Sequence, residues 1–101
     1  MTAYVISEVD IVDEAAAKSY MQFAEISIAE YGGRYLARGA KAEVMEGNST
    51  DWKIVLVEFP TLERARAWYA SPTYAKALQI RDKALNRRLT FVDGVVPFSA
   101  R

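Results

Sequence analysis

The clearest change in the pattern of hydrophobic and polar positions lies in the middle of the chain. Apolar residues run without interruption from Ile54 to Val57, Glu58 and Phe59 follow, and after Pro60 the apolar residues recur at helical spacing. This change indicates a buried strand followed by a helix. A strand with apolar residues on both faces needs cover on both, and one short helix covers only one of them. We therefore expect a second layer, which another copy of the chain could supply.

The same reading predicts the other elements. Strands are predicted at Ala3–Val9, at Arg34–Ala40 (which could continue to Glu46), at Trp52–Phe59 and at Leu89–Val92. Helices are predicted at Glu14–Tyr31, after the N-cap Thr61, and at about Thr73–Arg87. Gly32 directly follows the apolar stripe of the first helix, so we expect it to end that helix with a positive φ angle. Lys76, Lys83 and Arg87 share one face of the last helix and are interpreted as solvated surface.

This order of elements predicts an α+β fold in a single domain that spans residues 1–101. The arrangement βαββαβ, with an additional helix in the second crossover, is ferredoxin-like. We expect the first and third strands to be parallel neighbours at the centre of a four-stranded sheet. Both helices of the repeat should cover one face of the sheet, which leaves the other face open.

Composition excludes several classes of function. The chain has 13 basic and 13 acidic residues, so no overall charge favours nucleic acid or an anionic membrane as a partner. It has no cysteine and no histidine, which excludes thiol catalysis, zinc–thiolate sites, a histidine general base and histidine-ligated haem. We therefore expect no metal and no cofactor. No apolar stretch approaches the length of a membrane span, so a cytoplasmic location is the default expectation.

Four segments of the chain resemble a known family. They are Ala3–Asp10, Tyr31–Gly39, Val57–Thr61 and Ala67–Tyr74. Together and in this order they resemble the domain-of-unknown-function family numbered 1330, which is similar to the dimeric α/β-barrel superfamily. The resemblance implies a homodimer in which two ferredoxin-like sheets face each other. That superfamily includes cofactor-independent monooxygenases, isomerases, dehydratases and haem-dependent enzymes, so the fold alone does not select a reaction.

Three charged residues form the candidate site that the pattern suggests. Strand alternation puts Glu58 on the face away from the helices, with Glu8 level with it on the neighbouring strand and Arg38 alongside on the hairpin partner. Such a cluster could bind an anion, or could keep Glu8 or Glu58 protonated as a general acid or base. The alternative is that the arginine only neutralises charges at a buried interface.

Three aromatic residues complete the predicted binding residues. Tyr4, Tyr35 and Trp68 could line a pocket, although packing in the core or at an interface is the alternative role for each. Two classes of function stay open at this point. One is a homodimer that binds a small, perhaps anionic, molecule in the barrel cavity, with or without cofactor-independent catalysis. The other is a non-enzymatic structural or interaction dimer whose sheet–sheet interface is filled by side chains.

Overall fold

The chain folds into one four-stranded antiparallel sheet and three helices, described by a computed structural model over residues 2–95. The strands are β1 (Ala3–Ile11), β2 (Arg34–Ala40), β3 (Lys53–Phe59) and β4 (Leu85–Asp93). The helices are α1 (Glu14–Glu30), α2 (Leu62–Tyr69) and α3 (Pro72–Ala84). The predicted ferredoxin-like α+β fold, with an additional helix in the second crossover, is therefore confirmed. No helix within residues 2–95 has the length and apolar character needed to cross a membrane.

The direction of the central strands differs from the prediction. The strand order is β2-β3-β1-β4, and β3 pairs antiparallel with both β1 and β2. The expectation that β1 and β3 run parallel is wrong, because the β2–β3 hairpin reverses the chain after a crossover that leaves β1 and β2 parallel. One consequence concerns the candidate site. Glu58 lies opposite Tyr4 in this register, and Glu8 lies opposite Ile54.

The helix termini follow from local side-chain chemistry. Asp13, Thr61 and Ser71 are the N-caps of α1, α2 and α3, and each accepts a hydrogen bond from the backbone amide three residues later. These bonds satisfy amides that have no partner inside the helix. At the other end of α1, Gly32 has a φ angle of 77°, which confirms the predicted left-handed residue.

The last helix is shorter than predicted. α3 ends at Ala84, and the residues from Leu85 onward belong to β4, which begins opposite Ile11 of β1. Long antiparallel pairing with β1 overrides the helical spacing that the sequence suggested for this stretch. Arg87 therefore does not share a helix face with Lys76 and Lys83, and the predicted basic ridge is wrong for this residue.

The core lies between the helices and one face of the sheet. Alternate residues of β1 are buried, and they pack with β3 and with the inner sides of the three helices. The fully or nearly fully buried side chains include Val5, Phe59, Ala65, Trp68, Tyr74 and Ala77. On the opposite face, residues such as Ile6 and Leu56 stay partly exposed. No helix within residues 2–95 covers that open face.

Candidate functional site

The two carboxylates of the predicted cluster lie on the open face of the sheet, but they are not together. Glu58 is opposite Tyr4, four residues along β1 from Glu8, which corresponds to about 13 Å. Each has a different partner. Arg34 Nε lies 2.7 Å from Glu58 Oε1, and Arg88 Nε lies 3.8 Å from Glu8 Oε1. The expected meeting of Glu8, Glu58 and an arginine at one point is therefore wrong.

Arg38 lies on the other face of the sheet, because β2 is irregular. The pairing of β2 with β3 shifts between Tyr35 and Ala37, so the simple alternation of side chains fails there. As a result Arg38 shares the helix-facing side with Tyr35, and its guanidinium carbon lies 4.3 Å from the centre of the Tyr35 ring. Arg38 Nη2 donates to Glu25 Oε2 of α1 over 2.8 Å. This hydrogen bond keeps the pKa of Glu25 below its usual value.

A pocket of about 270 Å³ lies between α1 and the helix-facing side of the sheet. All four strands contribute to its walls, and most of the lining is apolar. The lining residues are Val5, Ser7, Val9, Tyr20, Met21, Ala24, Ile28, Tyr35, Arg38, Gly39, Val55, Val57, Trp68, Leu85, Arg87 and Leu89. Three residues of the predicted binding set, Arg38, Tyr35 and Trp68, thus line one pocket. Tyr4, Glu8 and Glu58 lie on the opposite face.

Arg87 and Tyr20 form the polar end of this pocket. Together with Tyr74, which is fully buried and does not line the pocket, they make a hydrogen-bonded cluster. The hydroxyls of Tyr20 and Tyr74 are 2.6 Å apart, and Arg87 Nη1 donates to both of them, over 2.6 Å to Tyr74 Oη. Tyr20 comes from α1, Tyr74 from the first turn of α3 and Arg87 from β4. The packing of both helices on the sheet therefore brings the three groups together.

The charge of Arg87 is not balanced by a carboxylate within residues 2–95. The ion pairs there use Arg34, Arg38, Arg81 and Arg88. All hydrogen bonds from Arg87 to described residues leave from Nη1, whereas a guanidinium has donors on three nitrogens. Arg87 thus has donors left for a further acceptor.

Burial and hydrogen bonding set the ionisation of this cluster. Burial raises the pKa of Tyr20, the neighbouring Tyr74 raises it further, and Arg87 opposes the effect without cancelling it. Burial disfavours the charge on Arg87, but the phenol oxygens of Tyr20 and Tyr74 outweigh it, and the pKa of Arg87 is raised. At neutral pH the raised pKa of Tyr20 therefore keeps its phenol neutral beside the Arg87 cation.

Trp68 forms a rigid wall beside the cluster. Its Nε1 donates to Ser27 Oγ over 3.0 Å, and Ser27 in turn donates to the carbonyl of Ala24 over 2.8 Å. Its ring centre lies 4.2 Å from that of Tyr74. The indole N–H is thus used inside the protein, and the ring offers the pocket an apolar surface.

Reading the sequence missed the polar cluster. Neither Tyr20 nor Tyr74 is among the binding residues predicted from the sequence, and the prediction places Arg87 on the solvated surface of the last helix. The signal that could have placed Arg87 is the alternation of Leu85, Arg87 and Leu89, which has the period of a strand. An arginine on the apolar side of such a strand is unusual enough to indicate a binding site.

The arrangement suits an organic anion. Apolar walls can hold a hydrocarbon or aromatic body, and the Arg87 cation with the Tyr20 phenol at one end can hold its charge. Within residues 2–95 no three acidic side chains come together in a way that could hold a metal ion.

Solved structures share this fold at low sequence identity. A protein of unknown function from Rhodopseudomonas palustris matches with a TM-score of 0.77 and 16% identity, over 95% of this chain and 84% of that chain. A dimeric ferredoxin-like protein of unknown function from Jannaschia sp. CCS1 matches with a TM-score of 0.63 and 12% identity, over 93% and 100%. SnoaB, a cofactor-independent oxygenase from Streptomyces nogalater, matches with a TM-score of 0.63 and 9% identity, over 96% of each chain. At these identities the likeness shows the fold alone.

The sequence itself identifies the family. No curated protein matches the chain significantly. The family model for a domain of unknown function, DUF1330, matches residues 2–95, which is almost the whole chain. The protein therefore belongs to the DUF1330 family.

Proposed function

We propose that this protein binds a small organic anion in the pocket between α1 and the sheet, with the anionic group held by Arg87. The observation that carries the proposal is the half-buried guanidinium of Arg87, which faces an apolar pocket and has no carboxylate partner among the described residues. Removing a cation from water is costly unless an anion accompanies it. A ligand carboxylate or enolate would supply that anion.

The phenol of Tyr20, which lines the pocket beside Arg87, supports this assignment. Its hydroxyl can donate to an incoming oxygen while it accepts from Arg87 and from the buried hydroxyl of Tyr74, because a hydroxyl both donates and accepts. Because the pKa of Tyr20 is raised, its phenol is neutral and adds a donor without adding negative charge that would repel the ligand. Hydrogen bonds from a cation to a carboxylate are roughly twice as strong as those between neutral groups.

The dimensions of the pocket limit the ligand. A volume of about 270 Å³ is close to the lower end of the range for small-molecule sites. We therefore expect a molecule of one or two rings, with its apolar body against Trp68. This differs from the site expected between two facing sheets, since the proposed pocket is on the helix side.

We also propose that the protein acts as a homodimer through the open face of its sheet. The ferredoxin-like protein from Jannaschia is described as dimeric, and the open face carries partly exposed apolar residues such as Ile6 and Leu56. Pairing through this face would leave the helix-side pocket free. Dimerisation and ligand binding are therefore separable properties.

The same donors would support catalysis without a cofactor. A fixed cation and the phenol of Tyr20 stabilise negative charge that develops on an oxygen atom of a bound molecule. SnoaB is described as a cofactor-independent oxygenase, which makes turnover of the bound anion a reasonable extension of the proposal. Binding comes first, and it can be tested without knowing a reaction.

Isothermal titration calorimetry with simple probes tests the proposal. The probes are benzoate and naphthoate, with the corresponding amides as neutral controls of the same shape. We expect the carboxylates to bind more tightly than the amides, and Arg87→Met to weaken carboxylate binding by about tenfold or more. The matched control is Arg88→Met, because Arg88 is adjacent but exposed on the opposite face.

Two results would overturn the proposal. One is equal affinity for the carboxylates and their amides. The other is equal loss of binding in Arg87→Met and Arg88→Met, which would indicate a general effect of charge instead of a site.

A further inference from the structure

The pocket has a second guanidinium on its far side. Arg38 lies on β2 and Arg87 on β4, which are the two edges of the sheet, and both line the same pocket. In the strand registers Arg38 shares a row with Val55, Ser7 and Leu89, and Arg87 is two residues from that row. Three strand spacings and one two-residue step put the two Cα atoms about 16 Å apart.

Both guanidinium groups reach back to α1. Arg87 donates to Tyr20, and Arg38 donates to Glu25. These two positions are five residues apart on the helix, which corresponds to about 7.5 Å along its axis. The two cations therefore face the pocket from different ends, with apolar walls between them.

Glu25 is a weakly held partner for Arg38. The side chains of Arg38 and Glu25 are 45% and 58% exposed, so water and salt screen their attraction. Arg38 itself has a second support, because its guanidinium lies over the ring of Tyr35. Glu25 can therefore swing into solvent while Arg38 stays at the pocket.

We infer that the pocket takes an elongated organic dianion, with one acidic group bound by Arg87 and the other bound by Arg38 in place of Glu25. The inference rests on the proposed function and deepens it by naming the class of ligand. In the free protein the carboxylate of Glu25 stands in for the second acidic group of the ligand. A monoanion would use only the Arg87 end.

Matched pairs of probes separate the two levels of the proposal. Terephthalate is compared with benzoate, naphthalene dicarboxylate with naphthoate, and para-linked biphenyl dicarboxylate with biphenyl carboxylate, each by calorimetry on the full chain. The monomethyl ester of each dicarboxylate controls for the added volume. We expect at least one dicarboxylate to bind about tenfold more tightly than its monoacid and its ester.

Three variants assign the second acidic group to Arg38. Arg38→Met should lower the dianion-to-monoanion affinity ratio by about tenfold. Glu25→Gln should raise that ratio about threefold, because the charged competitor for Arg38 is gone. Arg34→Met is the control, since Arg34 is on the same strand but bonds Glu58 on the open face, and the ratio should not change.

The outcomes distinguish the inference from the function on which it rests. If no carboxylate probe binds, the proposed function fails, and the inference fails with it. If carboxylates bind through Arg87 but no dicarboxylate is preferred, the function stands and the inference is overturned. A preference that survives Arg38→Met, or a Glu25→Gln variant that loses the preference, also overturns it.

Discussion

Replacing Arg87 by methionine should leave the ligand-free protein almost as stable as the parent. Arg87 is half-buried, it donates to Tyr20 and Tyr74, and no carboxylate within residues 2–95 balances its charge. If its main role is to hold a ligand, the fold should not depend on it. This separates a binding residue from a structural one.

The opposing contributions are of similar size. A hydrogen bond to a charged group contributes about 1.5–3 kcal/mol, and Arg87 makes two of them to phenols. Partial removal of the guanidinium from water costs several kcal/mol. The phenols keep their own hydrogen bond of 2.6 Å when Arg87 is gone, and a methionine occupies much of the space of the arginine stem. The net change in the free energy of unfolding should therefore stay within about 1 kcal/mol, in either direction.

Urea unfolding followed by tryptophan fluorescence measures this change, with Arg88→Met as the control on the open face. The parent and Arg87→Met should have similar midpoints and slopes. A slightly more stable variant would also agree with the reasoning, because binding sites often retain groups that destabilise the empty protein. A loss of about 2 kcal/mol or more would refute it and would make Arg87 a structural residue.

Three further predictions concern Tyr20, Gly33 and the open face of the sheet. Because the pKa of Tyr20 is raised on folding, its contribution to the free energy of unfolding is fully present below about pH 10 and falls above it by about 1.4 kcal/mol per pH unit. Urea unfolding at a series of alkaline pH values should therefore show a smaller loss of stability with pH in Tyr20→Phe than in the parent. Equal losses in the two proteins would contradict this prediction. Gly33→Ala should destabilise the protein by about 1–3 kcal/mol in the same assay, because its Cβ would lie 2.7 Å from the buried ring of Phe59 and 2.8 Å from Ile28. Leu56→Lys on the open face should convert a dimer into a monomer in light scattering, and a parent protein that is already monomeric at micromolar concentration would contradict the proposed assembly.

The fold could be predicted because its signals are local. The apolar stripe of α1, the N-caps Asp13, Thr61 and Ser71, and the positive φ angle of Gly32 each depend on a few neighbouring residues. Such signals survive in the folded chain because tertiary packing agrees with them. The type and order of the elements were therefore accessible from the sequence.

The site could not be predicted because it depends on pairing between distant segments. The irregular pairing of β2 with β3 puts Arg38 on the helix side, against the simple alternation of side chains on which the prediction depended. The antiparallel direction of β3 separated Glu8 from Glu58. The early end of α3 moved Arg87 into a strand, where pairing with β1 outweighs helical spacing.

Part of the predicted set still lies at the proposed site. Tyr35, Arg38 and Trp68 line the pocket, although Arg38 was predicted on the opposite face of the sheet. Aromatic residues and arginine are the side chains that most often serve in binding, whichever face they occupy. Composition therefore indicated the kind of residue, and the sheet register decided which of them meet.

A crystal structure of the protein with naphthoate tests the central claim most directly. The account predicts that the carboxylate lies about 3 Å from the guanidinium nitrogens of Arg87, with the rings against Trp68 on the helix side of the sheet. Naphthoate bound on the open face, or a probe in the pocket with its carboxylate turned away from Arg87, would contradict the account.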